Sequence, residues 1–243
     1  MPSPHSIHSA ALKDLYTPAT RAFTEDRDFV KVQQNIDVAL EILAQHPVPH
    51  AGPDDFATHR RKWDMLHVTL HTTVYLQPAA NFRTTKLVSH KRFGELRQLI
   101  PAALVHRMHD RSVQLFTPHS DKPDTAYLPV QVVTNLVTAA VRLRCIDDGR
   151  AIAETWMRAN GITDPSDEHT LAVAQNLAGT ELDKLAVSYV SWVLTPLADW
   201  QAAETFLRTN QVVSQSMRKV GAHVHAFLTS PTHINYNSTY SGA

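Results

Sequence analysis

Apolar residues recur along this chain at helical spacing, and no segment alternates with period two for long enough to predict a strand. The cleanest run is 28–45. There Phe29, Val32, Ile36, Leu40 and Leu43 follow i, i+3, i+7, i+11, i+14 and mark one helix face. The helix is expected to stop at His46-Pro47-Val48-Pro49, because a residue before proline is pushed out of the helical region. A long helix over 54–75 follows, with Phe56, Trp63, Leu66, Leu70 and Val74 on its apolar face. Asp54 and Asp55 stand in its first turn, where the helix dipole favours acids.

The same reading covers the rest of the chain. Residues 1–9 are expected to be a disordered tail. Residues 10–16 and 18–25 read as one broken helix or two short ones, with Thr17-Pro18 as the break or Pro18 at the first position of the second. A helix over 84–99 carries Phe93 and Leu96, and Pro101 opens another over 102–116. Residues 117–125, with Pro118 and Pro123, read as the most loop-like internal segment. Over 128–144, Val133, Leu136, Val137 and Ala140 point inward. Asp147-Asp148-Gly149 reads as a turn, with either aspartate capping a helix over 150–160 that Asn160-Gly161 stops. A further helix starts at Asp164-Pro165-Ser166, with a kink near Gly179. In 189–207, one arm ends near Thr195-Pro196 and Asp199 caps a second. That second arm carries Trp200, Ala203 and Leu207 on one face. A last helix spans 212–228. The predicted fold is all-α: an array of antiparallel helical hairpins, a tetratricopeptide-like solenoid or bundle, forming one domain over 10–228 with a polar tail over 229–243.

Composition removes several classes of function. Lys+Arg and Asp+Glu are both 23 of 243 residues, so no global basic field draws in nucleic acid or anionic membrane. One cysteine, Cys145, excludes a disulfide framework. Gly is scarce at 7, which argues against a glycine-rich nucleotide loop. The polar start lacks the apolar core of a secretory signal, and no uncharged run reaches the ~18 apolar residues that span a bilayer.

Candidate chemistry is sparse. His67 and His71 have the i, i+4 spacing of a zinc pair, but Val68 stands where a metalloprotease carries its glutamate, and packed helix histidines are the favoured reading. His106, His109 and Asp110 are flanked by Arg107 and Arg111, which disfavour a metal ion and suit a solvated face. His223 and His225 diverge by about 200 degrees on a helix and cannot chelate together. Cys145 reads as a small buried hydrophobe and Asp147-Asp148 as caps. Trp63, Trp156, Trp192 and Trp200 fit packing positions. The runs Arg60-Arg61-Lys62 and Lys86, His90, Lys91, Arg92 read as solvated faces, with an acidic protein partner as the sharper alternative. No phosphate loop, nucleophile elbow or complete metal motif is present, so the expectation is a non-enzymatic scaffold without cofactor or metal.

Three segments resemble a known family. DFVKVQQNIDVALEIL over 28–43 resembles the early helix of the peroxisomal tail-anchored docking peroxin (number twenty-six in animals and filamentous fungi, fifteen in yeast). LPVQVVTNLVTAAVRLRCIDDGRAIAETWM over 128–157 resembles its middle hairpin. Residues 189–207 resemble its late hairpin through Leu194, Pro196-Leu197 and Ala203-Glu204. The order and spacing of all three agree, over about two thirds of the chain.

The resemblance implies a cytosolic helical domain that recruits the peroxisomal AAA ATPase pair to the membrane for recycling of matrix-protein import receptors. It implies a place on the cytosolic face of the peroxisome and a C-terminal membrane anchor. No anchor follows Ser230, so the chain is expected to be the cytosolic portion, meeting the membrane only through an anchor it does not contain. A basic-aromatic pair that matters for binding in the family has its nearest match in Arg92-Phe93. With Lys91, Arg61 and Lys62, these are the expected partner-binding residues. The alternative is another helical-repeat scaffold, a subunit of a cytosolic targeting or degradation complex.

Overall fold

A computed structural model describes residues 4–78, 90–119, 121–162 and 180–209. Among them there is no strand, and there are nine α-helices. They are α1 (Pro4–Arg21), α2 (Phe29–Ala44), α3 (Ala57–Tyr75), α4 (Lys91–Gln98), α5 (Pro101–Phe116), α6 (Val130–Arg142), α7 (Ile146–Ala159), α8 (Thr180–Ser188) and α9 (Trp200–Thr209). No helix among the described residues is long and apolar enough to cross a membrane. The chain forms two compact units, Met1–Trp156 and Met157–Ala243.

The first unit is assembled around α3, which packs against α1, α2, α4, α5 and α6. The predicted seam of α2 is buried at Phe29, Val32, Ile36 and Leu43, whereas Leu40 is half-buried because it lines a cavity. Asp28 caps α2 by accepting from Lys31 N at 3.0 Å. Phe56, Trp63, Leu66, Leu70 and Val74 of the second predicted face are all buried, Trp63 meeting the Tyr16 ring of α1 edge-on at 5.2 Å.

The helix expected over 54–75 begins at Ala57, so Asp54 and Asp55 precede its first turn, and the helix expected over 84–99 begins at Lys91, after an extended His90. Three further boundaries differ from the sequence reading. First, α1 begins at Pro4, so residues 4–9 belong to a helix rather than a tail, and it runs through Pro18 to Arg21. A proline in a helix removes one donor. The donor lost is the one to Asp14 O, and the helix continues past it, with the Thr20 hydroxyl bonding Tyr16 O at 2.6 Å and Thr17 O at 3.1 Å on either side of the proline turn. Second, Asp147-Asp148-Gly149 is not a turn but the first turn of α7. The chain reverses earlier, where Arg144 takes a left-handed conformation at φ 62. Cys145 N then reaches back to Ala140 O at 2.9 Å, which closes the end of α6. Gly149 has a packing role: a Cβ there would sit 3.1 Å from the Cβ of Ala140, so α6 and α7 approach closely at this point. Third, the loop after Phe116 contains a short 3₁₀ turn, Thr125–Tyr127, capped by Asp124. Trp156 donates its indole N–H to Leu128 O at 2.8 Å and locks the start of α6 to α7. The stop at Gly161 is as expected, with φ 68 and Ile162 N bonded to Met157 O at 2.8 Å.

In the second unit, α8 widens into a π-helical stretch, Tyr189–Leu194. It ends as predicted near Pro196, and Ala198 at φ 55 closes the turn. Asp199 caps α9 by accepting from Ala202 N at 3.1 Å. The Tyr189 and Phe206 rings join the two arms, with centroids 5.2 Å apart. Trp192 is 46% exposed, so the packing role expected for it does not hold: the widened π turns carry Tyr189, Val190, Val193 and Leu194 inward instead. The expected helices over 164–179 and 212–228, the tail over 229–243 and the side chain of Trp200 lie outside the described part.

Arg144 occupies a left-handed position that costs a side chain about 1 kcal/mol relative to glycine. Arg144→Gly is therefore expected to raise the unfolding free energy by about 1 kcal/mol, read from urea denaturation. An unchanged or lower midpoint would show that the Arg144 side chain offsets its strain.

Candidate functional site

Helix α3 is buried on a second face that is not apolar. Arg60, Asp64, His67 and His71 follow i, i+4, i+7, i+11, and each is 6% exposed or less. At Arg60, Asp64 and His71 water is replaced by a specific partner, as burial of polar groups requires, whereas His67 Nδ1 is buried with none. Arg60 donates to Asp54 at 2.9 Å and to the carbonyls of Leu43 and His46, so one guanidinium ties the end of α2 to the start of α3. The solvated face expected of Arg60-Arg61-Lys62 thus excludes Arg60, whose guanidinium is drawn inward by Asp54 and by the Leu43 and His46 carbonyls at the end of α2.

Asp64 lies fully inside. Its Oδ1 accepts from Arg111 Nη1 of α5 at 2.6 Å, and its Oδ2 accepts from the Ser112 hydroxyl at 2.9 Å. Burial pushes the Asp64 carboxyl above its usual range, while the Arg111 charge and the Ser112 hydrogen bond pull it back. One turn further, the His67 and His71 rings lie with centroids 3.8 Å apart. His71 Nε2 donates to Gln33 Oε1 at 3.0 Å, which fixes its tautomer. Gln33 Nε2 donates to Asp37 Oδ1 at 2.8 Å, and the same carboxylate pairs with Arg92 of α4. The relay runs from the core to the half-exposed rim.

These side chains surround a cavity of about 410 Å³. Asp37 and Leu40 of α2 form one wall and His67 and His71 of α3 the floor. Arg92 of α4 and Arg107, Met108 and Arg111 of α5 close the rest. Both histidines are held neutral. Burial comes first, and the charges of Arg111, Arg107 and Arg92 add to it, pushing His71 down to about 3. His67 is also held well below its ordinary value, by burial, then His71 and the same arginines. Leu40 and Arg111 also line a neighbouring cavity of about 450 Å³, which reaches Thr117, Pro118 and Pro123.

The five expected partner-binding residues do not form one patch. Lys91 is 92% exposed and pairs with Glu95 at 3.9 Å. Arg92 is half-exposed and engaged by Asp37. Phe93 is fully buried beneath them, its ring 4.7 Å from that of His90, so the basic-aromatic pair is split between surface and core. Lys62 is exposed over the Tyr16 ring at 5.5 Å, and Arg61 beside it is half-buried. No hydrogen bond or ion pair among the described residues joins 61–62 to 91–92. The segment around Lys86 lies outside the described residues.

Other candidates are accounted for locally. His106 contacts Asp148 at 3.1 Å, and His109 contacts Asp110 at 3.7 Å and Thr125 at 3.1 Å. Among the described residues no group of three His, Cys, Asp or Glu is placed to hold a metal ion, and His223 and His225 lie outside them. The Cys145 thiol is half-buried, and burial followed by the charge of Asp148 pushes it up, away from thiolate chemistry. Comparison with protein-family models, with curated proteins and with solved structures finds no match.

Two outcomes follow from the site. Asp64→Ala should cost about 3–5 kcal/mol in urea unfolding, because it strands the Arg111 charge. Asp64→Leu combined with Arg111→Met should recover much of that loss, and a double variant as unstable as the single would show that the pair acts by more than charge compensation. The second outcome concerns pH. Unfolded histidines take up protons that His67 and His71 refuse when folded, so their contribution is complete above about pH 6.5 and drains as pH falls, to about 3 for His71. The slope is about 1.4 kcal/mol per pH unit for each histidine. His67→Gln with His71→Gln should flatten the stability profile between about pH 6.5 and 5 relative to the parent, and a parallel profile would refute neutral burial.

Proposed function

We propose that this chain is a non-enzymatic docking adaptor on the cytosolic face of the peroxisomal membrane, recruiting the AAA ATPase pair that recycles matrix-protein import receptors. The observation that carries this reading is the ordered resemblance of three segments. Those segments correspond here to α2 with its Asp28 cap, to α6 and α7, and to the two arms around Asp199. The helices are taken as antiparallel hairpins of tetratricopeptide character. Their gathering around α3 favours the bundle form over an open solenoid, in which each repeat meets only its neighbours.

The partner-facing element in this reading is the start of α4. Lys91 and the outer edge of Arg92 present positive charge, while Phe93 anchors the helix from below. Arg61 and Lys62 form a second, separate basic point on α3. An acidic surface on the ATPase pair would complement both, mainly through encounter rate and orientation.

The test is capture of the purified ATPase pair by the folded chain. Binding is expected, and Lys91→Glu should weaken it about fivefold, with stronger loss at low salt and an unchanged melting temperature. Phe93→Ala should instead lower the melting temperature, as a cavity in the core does. Failure of well-folded parent protein to retain the ATPase pair would overturn the reading.

A further inference from the structure

We propose that the cleft between α2, α3, α4 and α5 is a binding site for the phosphoryl group of a small soluble molecule. The inference does not rest on the docking reading: the two share only Arg92, whose inner side lines the cleft, and the remaining lining residues belong to α2, α3 and α5.

The sign of the charge comes first. Three guanidinium groups, Arg92, Arg107 and Arg111, line one cavity of about 410 Å³, against the single lining carboxylate Asp37. The other nearby carboxylate, Asp64, is sealed behind the cavity by Arg111 and Ser112. Three arginines against two aspartates leave a surplus of positive charge, and neutral His67 and His71 add none. The arginine charges, which add to burial in keeping these imidazoles unprotonated, also repel a metal cation, so the zinc spacing of His67 and His71 serves an anion instead.

Unused donors are the second observation. Arg111 spends Nη1 on Asp64, and its Nη2 is buried with no partner. His67 Nδ1 is likewise buried and partnerless, in a residue 6% exposed. Neither nitrogen has accessible surface of its own in the cleft, so a small rotation of the Arg111 fork or of the His67 ring is what would bring it to an oxyanion and relieve the desolvation cost of a buried, unpartnered polar group. At the mouth, Arg107 is exposed and no hydrogen bond or ion pair engages it.

The donors also differ in origin. They come from α3, α4 and α5, so they approach from several directions. A carboxylate offers two oxygens in one plane. A phosphoryl group offers three around a tetrahedral centre, which suits convergent forks better. The volume lies within the range of about 300–1,000 Å³ for small-molecule pockets.

The test is calorimetric titration of the full chain at neutral pH and constant ionic strength, with pyrophosphate, inorganic phosphate and citrate as probes. Pyrophosphate should bind saturably at a single site, tighter than phosphate, with citrate weakest. Arg107→Ala should weaken pyrophosphate about tenfold without changing the melting temperature, and Arg107→Lys should restore part of that loss. Arg158→Ala, at an exposed position in the other unit, should leave the titration unchanged. Absence of saturable binding up to about 10 mM pyrophosphate would overturn the proposal. So would equal losses in Arg107→Ala and Arg158→Ala, or citrate binding as tightly as pyrophosphate.

Discussion

The Asp64 carboxylate, sealed between α3 and α5, constrains everything around it. A buried carboxylate is tolerable only when each oxygen has a donor, and here Arg111 takes one and Ser112 the other. Both donors are adjacent on α5, so the pairing sets how α5 lies on α3. It also fixes which way Arg111 faces. With one amino group spent on Asp64, the remainder of the guanidinium borders the cleft, and its charge helps keep His67 and His71 neutral. One ion pair thereby links packing, protonation and the polarity of the cavity.

The rest of the polar stripe on α3 follows the same logic in both directions along the helix. Toward its start, Arg60 satisfies the open carbonyls of α2 and pairs with Asp54. Toward its end, His71 passes its hydrogen bond through Gln33 to Asp37 and so to Arg92. A helix with an apolar face against α1 and α6 and a polar stripe against α2 and α5 can be buried on most sides without stranding a charge. That is why α3 can sit at the centre of the first unit although its sequence holds so many ionisable groups.

Local features were readable from sequence because their causes are local. The seam of α2, the Asp199 cap and the stop at Gly161 each depend on residues within a few positions. The passage of α1 through Pro18, and Gly149 serving a close approach to Ala140 rather than a turn, depend on packing that a list of turn formers does not encode. The cleft was the hardest part. The i, i+4, i+7, i+11 spacing of Arg60, Asp64, His67 and His71 stands in the sequence, yet ionisable residues usually face water. Asp64 finds Arg111 only 47 residues later, so no window around α3 reveals the pairing. Taken one residue at a time, the stripe resembles a solvated face and an incomplete zinc motif. As a set it is a buried polar surface.

The most direct measurement of this account is the ¹⁵N spectrum of the imidazoles of His67 and His71 at a pH about one unit below the ordinary histidine value. If the Asp64–Arg111 node and its neighbours control the cleft, both rings remain neutral there, with His71 protonated on Nε2 alone. An imidazolium signature at either residue in the folded protein would contradict it.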